Sequence, residues 1–125
     1  MCLTLNKESK LRVATRDIKV YKMMMIRSDG KEITPFNDYE LKQTNITELQ
    51  IKPSIHYSID LGFHSYAKLS DANAQAKCWD ADNYDHYVVR CIIPKGAKYW
   101  DGTSNNIANY NGKLKSYVSN KLNRL

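Results

Sequence analysis

Cys2, His64 and the run Asp80, Asp82 and Asp85 are the residues whose types and spacing come nearest to chemistry in this chain. Once Met1 is removed, Cys2 offers a thiol whose own amino group can serve as its base. No glycine-rich pattern follows it, so the simpler reading is a small residue opening an edge strand. His64, after Gly62-Phe63, stands in a turn-like phrase. It places an imidazole either at a pocket mouth, for acid–base work or a ligand hydrogen bond, or against backbone groups near a helix start. With no carboxylate assigned to it, the structural role is favoured. The aspartates superficially match a calcium loop. Counted from Asp80, however, the sixth position is not glycine and the twelfth is Cys91, where a bidentate glutamate is needed. They read as a loop that ends a helix.

Cys2, Cys78 and Cys91 form no CxxC pair, and His56, His64 and His86 lack ligand spacing, so no disulfide, metal or cofactor is expected. A reducing compartment is the simpler context. The net charge of +6 is uneven: residues 1–40 carry +2, residues 41–90 carry −1 and residues 91–125 carry +5. In that last third Lys95, Lys98, Lys113, Lys115, Lys121 and Arg124 interleave with Tyr99, Trp100, Tyr110 and Tyr117. Cations among aromatic rings suit an anionic partner with stackable bases, and the alternative is a solvated basic face.

These groups need a scaffold, and 125 residues at 42% hydrophobic and 26% charged suit a single globular domain spanning 1–125. The longest uninterrupted apolar run, Met23 to Ile26, is far too short to cross a membrane. Met1 to Lys10 has no apolar stretch before its charges, so no secretory leader is expected and the cytoplasm is the expected location. Ile18 to Arg27 reads as a strand followed by a turn at Ser28-Asp29-Gly30-Lys31. Neither of its faces is cleanly polar, as in a strand central to its sheet. Tyr39 to Thr44 and Ile46 to Ile51 are short strand candidates broken by Pro53. A helix is expected over Ser70 to Trp79, with Ser70 as its N-cap, Asp71 in its first turn and three alanines within. Tyr87 to Ile93 is the clearest strand, closed by the turn Pro94-Lys95-Gly96. It should share one sheet with Ile18 to Arg27 as a buried central strand, so Val89→Asp is expected to cost on the order of several kcal/mol. The tail from Leu114 fits a helical stripe and, over Tyr117 to Leu122, strand alternation. The whole reads as an α+β fold, a mostly antiparallel sheet with one or two helices packed on a face.

The opening Met1-Cys2-Leu3, the phrase Gly62-Phe63-His64-Ser65, the strand end Ile93-Pro94-Lys95-Gly96-Ala97-Lys98-Tyr99 and the closing Tyr117-Val118-Ser119-Asn120-Lys121-Leu122 carry a resemblance. Together with Asp17 to Lys22 they resemble small hypothetical proteins of phages and their bacterial hosts. That resemblance names no activity, and it implies a final strand at Tyr117 to Leu122. The order of elements is also distantly similar to small ADP-ribosyltransferases, which implies a polar anchor on the early strand, at Tyr21, and a serine before the helix, at Ser65. In that family a later glutamate completes the site. Residues 91–125 hold no glutamate and a single acid, Asp101, so the sugar cation of the transition state would lack its usual partner.

The leading expectation is a non-enzymatic, phage-associated accessory protein, with an anti-defence role among its options. It would bind a host protein or a nucleotide through Lys95, Lys98, Trp100 and Lys113, with Tyr21, His64 and Ser65 as further ligand contacts. The alternatives are an ADP-ribosyltransferase-like enzyme with a degenerate site and a nucleic-acid-binding protein, whose affinity would fall with salt.

Overall fold

The computed structural model describes residues 3–5, 9–26, 29–30, 32–33, 58–59, 62–79, 85–105 and 112–125. Cys2, the strand candidates between Tyr39 and Ile51, and Asp80 and Asp82 lie outside them. The strands are β1 (Leu3–Thr4), β2 (Leu11–Val13), β3 (Ile18–Ile26), β4 (Glu32–Ile33), β5 (Ser58–Ile59) and β6 (Phe63–Tyr66). After the helix α1 (Leu69–Trp79) come β7 (Asp85–Ile93), β8 (Lys98–Asn105), β9 (Lys113–Ser119) and β10 (Asn123–Arg124). They form one antiparallel sheet in the order β10-β7-β3-β6-β9-β8-β1-β5, with β2 on β8 and β4 on β3. The α+β expectation holds with one helix, not two, among the described residues.

The two longest apolar runs pair as expected, β3 with β7 in register over nine residues from Ile18↔Ile93 to Ile26↔Asp85. β7 is not central, however: among the described residues only the short β10 lies beyond it, opposite Cys91 and Ile92. Arg124 of β10 donates a hydrogen bond to the Glu32 carboxylate of β4, tying that edge across the face. The tail is a strand, β9, because Leu114, Ser116 and Val118 alternate inward between β6 and β8. The helix begins at Leu69, where the Lys68 carbonyl accepts from the Ala72 amide, so Ser70 falls inside the first turn and is not the cap. Its small side chains Ala72 and Ala76 let it sit closely on Met23, Tyr66 and Leu114.

β7 and β8 are joined by only Pro94 to Ala97, yet three strands separate them in the sheet. Laid flat, four interstrand steps would span roughly 19 Å. A four-residue turn, with Gly96 at φ 89° and closed by Ala97 N–H to the Pro94 carbonyl at 3.0 Å, cannot reach that far. The sheet must therefore curl. The β2–β3 turn meets this one: Ala14 exchanges bonds of 2.8 Å with Ala97 and Gly96, and Asp17 Oδ1 accepts from the Lys95 amide at 2.9 Å. Alternation then sorts the side chains. Tyr21, Met23, His64 and Tyr66 face α1, whereas Val20, Lys22, Met24, Phe63 and Ser65 face the other side with Val89, Cys91 and Ile93.

Gly102 of β8 is fixed by close approach, since a Cβ there would stand 2.3 Å from the Thr4 carbonyl oxygen and 3.1 Å from Leu3 Cγ. Gly102→Ala should push β1 off β8 and cost about 1–3 kcal/mol, as overpacking does. Thermal unfolding checks this, and an unchanged midpoint would refute the close contact.

Candidate functional site

The face away from α1 carries a cleft of about 350 Å³ between the two stapled turns and the β8–β9 hairpin. β2 supplies Arg12, the β2–β3 turn Thr15 and Arg16, β8 Tyr99 and Asp101, and β9 Lys115 and Tyr117. Register explains the grouping: Arg12 pairs with Tyr99, Tyr99 with Ser119 and Asp101 with Tyr117, so alternate residues of three adjacent strands share one face. Arg12 Nε donates to Asp101 Oδ1 at 3.3 Å, which leaves Arg16 and Lys115 as the exposed cations of the cleft. The Tyr99 and Tyr117 rings meet edge to face, centroids 5.9 Å apart at 73°, and Lys115 Nζ lies 5.9 Å from the Tyr117 ring. Three cations against one carboxylate, beside two aromatic rings, suit an anionic ligand with a flat apolar part.

Behind this cleft the same face turns buried and polar. Ser65 stands opposite Tyr117, and Ser119 opposite Phe63. Both hydroxyls are fully buried and have no hydrogen-bond partner among the described residues. One register step beyond the single bridge Tyr21↔Tyr66, Lys22 comes abreast of Ser65. Lys22 is 5% exposed, and burial lowers its amine from 10.5 to about 8, against a small opposing pull from the Cys91 thiol. Burial in turn pushes the Cys91 thiol up to about 11, with Lys22 and Arg124 pulling it down and Glu32 raising it. Buried Cys91 and half-buried Cys78 are both free thiols.

The residues expected from the sequence are dispersed. Lys95 is exposed in the β7–β8 turn, and Lys98 is exposed with its amide held by Asn120 Oδ1 at 2.9 Å. Lys113 is exposed at the opposite end of the hairpin, paired with Asn105. Trp100 points away from the cleft into a core of Leu3, Leu5 and Val118, its Nε1 unpartnered. His64 is buried on the α1 side, its ring Nδ1 3.2 Å from the Gly62 carbonyl, and Tyr21 is half-buried on that side as well. Of that set, Ser65 lies on the cleft's face behind Tyr117, and Lys113 lies on that face at the far end of β9 without lining the cleft. Arg12 and Arg16 were not singled out by sequence, because only the short β2–β8 pairing brings them to the carboxyl-terminal hairpin.

No family model, no curated protein and no solved structure matches the chain. No group of three or more potential metal ligands occurs among the described residues. No helix among them is long and apolar enough to cross a membrane.

Proposed function

We propose that this protein binds a small phosphate-bearing ligand, a nucleotide by class, in the cleft lined by Arg12, Arg16, Tyr99, Lys115 and Tyr117. The observation that carries the reading is the convergence of three cations and two tyrosine rings on one opening of about 350 Å³, a volume in the range of ligand sites. Phosphate oxygens would lie against Arg16 and Lys115, and the base against the tyrosines. The setting we propose for it is an accessory role in phages or their hosts, with a host-defence protein as the alternative partner to the nucleotide.

Titrating nucleotides and short oligonucleotides at two salt concentrations tests this. Arg16→Gln with Lys115→Gln should weaken binding by roughly tenfold or more and flatten its salt dependence. Tyr117→Leu should weaken it without changing the slope. The triple change of Lys95, Lys98 and Lys113 to glutamine should leave it nearly intact, because those residues lie outside the cleft. Equal affinity for the wild type and the Arg16/Lys115 variant would refute the site.

One observation favours a second reading, the ADP-ribosyltransferase-like enzyme: Ser65 presents an unpartnered hydroxyl behind the cleft. Asp101, the cleft's acid, is already held by Arg12, which leaves an oxocarbenium-like sugar poorly stabilised. Release of nicotinamide from its dinucleotide, lost in Ser65→Ala, would support that enzyme over a binding protein.

A further inference from the structure

Lys22 is a cation buried where its neighbours on the face are apolar or neutral. Val20 and Met24 flank it along β3, Val89 stands opposite it on β7, and Ser65 comes abreast on β6. Among the described residues, the titratable group acting on it is the Cys91 thiol. Among the described residues no carboxylate pairs with it, and a buried ammonium so placed is costly and seldom kept for stability. Ser65 adds a second anomaly, a fully buried hydroxyl with no partner among the described residues. The two come together where β3 and β6 share a single bridge, so the strands are not laced closed beyond it. From Tyr117, which lines the cleft, Lys22 is two interstrand steps away, roughly 10 Å, with Ser65 between them.

We propose that Lys22 captures the carbonyl group of a small anionic molecule as a Schiff base, with Ser65 beside it to relay the proton. The anion's place in this rests on the cleft reading above. The ligand class is a phosphate-bearing aldehyde whose phosphate lies on Arg16 and Lys115 and whose carbonyl reaches inward past Tyr117. The Nζ lone pair of neutral Lys22 adds to the carbonyl carbon, and the π pair moves to oxygen, which takes a proton from the Ser65 hydroxyl. Ser65 recovers a proton from the nitrogen, giving a carbinolamine. Loss of one water then leaves the imine, and no oxidant or reductant is needed. Burial supports the step: with its amine near 8, Lys22 at about pH 7.4 holds roughly two- to three-hundredfold more free base than an unperturbed lysine. Capture of this kind needs no turnover, in keeping with a binding protein.

The test uses pyridoxal 5′-phosphate with cyanoborohydride reduction, and peptide mass mapping locates the adducts. The expected result is an adduct concentrated on Lys22, at least roughly tenfold above Lys95, Lys98 and Lys113. It should fall in Arg16→Gln with Lys115→Gln, form more slowly in Ser65→Ala and vanish from that position in Lys22→Arg and Lys22→Met. Adducts spread over exposed lysines with Lys22 unmodified would overturn the proposal. Pyridoxine 5′-phosphate, which lacks the aldehyde, separates the two readings. If it binds while Lys22 stays unmodified by the aldehyde, capture fails and the cleft stands. If phosphate-free pyridoxal labels Lys22 as well as pyridoxal 5′-phosphate does, the amine stands and the anion's part fails.

Discussion

Lys22→Met is expected to make the protein more stable at pH 7, by on the order of 2–3 kcal/mol. Folding carries the Lys22 amine out of water, and desolvation lowers it from 10.5 to about 8. The unfolded chain therefore holds this proton more tightly than the folded one between those values. Stability contributed by Lys22 is at its lowest below about pH 8 and recovers as pH rises toward 10.5. Methionine removes the charge and roughly keeps the volume, so the penalty disappears without leaving a cavity. Among the described residues, the titratable and charged groups around Lys22 on this face are Cys91 and Tyr87 on β7, Glu32 on β4 and Arg124 on β10, with the cleft's Arg12, Asp101 and Lys115 further off. Cys91 works in the opposite sense, because a thiol raised from 9.0 to about 11 contributes stability that is lost as pH climbs through that range. The interval from about pH 7 to 9 therefore isolates Lys22. Denaturant unfolding across it should show wild-type stability rising with pH and the advantage of Lys22→Met shrinking. A variant less stable than the wild type at pH 7, with an unchanged pH slope, would mean that the ammonium has a stabilising partner and that the burial argument is wrong.

What could be read in advance followed from strong local signals. The β-prone runs at Ile18 and Tyr87 found each other because a run buried on both faces must also pair its backbone groups along its edges, and these two are the longest. Gly30 and Gly96 adopt the positive φ expected of their turns, and the alanine-rich segment became α1. The burial of Lys22 was hidden by the same richness. In Ile18-Lys19-Val20-Tyr21-Lys22-Met23-Met24 both alternating faces are apolar, and a lysine falls on each, so alternation does not say which one meets water. Lys19 is exposed and Lys22 is not, because Lys22 shares its face with the buried cluster of Val20, Met24, Val89 and Cys91, whereas Lys19 lies on the other face, short of the point where β6 meets β3 at Tyr21↔Tyr66. The cleft was half legible. Charge asymmetry led to the carboxyl-terminal third, and Tyr99, Lys115 and Tyr117 of that third do line it. Adjacent residues on a strand point to opposite faces, so Tyr99 and Trp100 were never both available to one ligand. Arg12 and Arg16 arrive from about ninety residues away through a three-residue pairing that carries no sequence signal of its own.

Val89→Asp illustrates how that placement changes an expected outcome. A carboxylate put into a buried strand is ordinarily an unpaired charge, and the β-branched run around Val89 suggests just such a cost. In the sheet, Val89 is directly opposite Lys22 on the same face, a spacing of about 5 Å between Cβ atoms. The new carboxylate would meet the one buried ammonium among the described residues of that face, and each charge would satisfy the other. Ile93→Asp is the control, on the same strand and face, fully buried and opposite Ile18. Ile93→Asp should cost about 3–5 kcal/mol, and Val89→Asp should cost less by roughly 2 kcal/mol or more. Combining Val89→Asp with Lys22→Met removes the partner and should restore the full penalty, so the double-mutant cycle gives a favourable coupling for the pair. The introduced carboxylate should also pull the Lys22 amine back upward and flatten the rise of stability between about pH 7 and 9. Additive energies in that cycle would show that Lys22 does not face β7 as the register requires. With that, both its burial energetics and its place beside Ser65 would have to be abandoned.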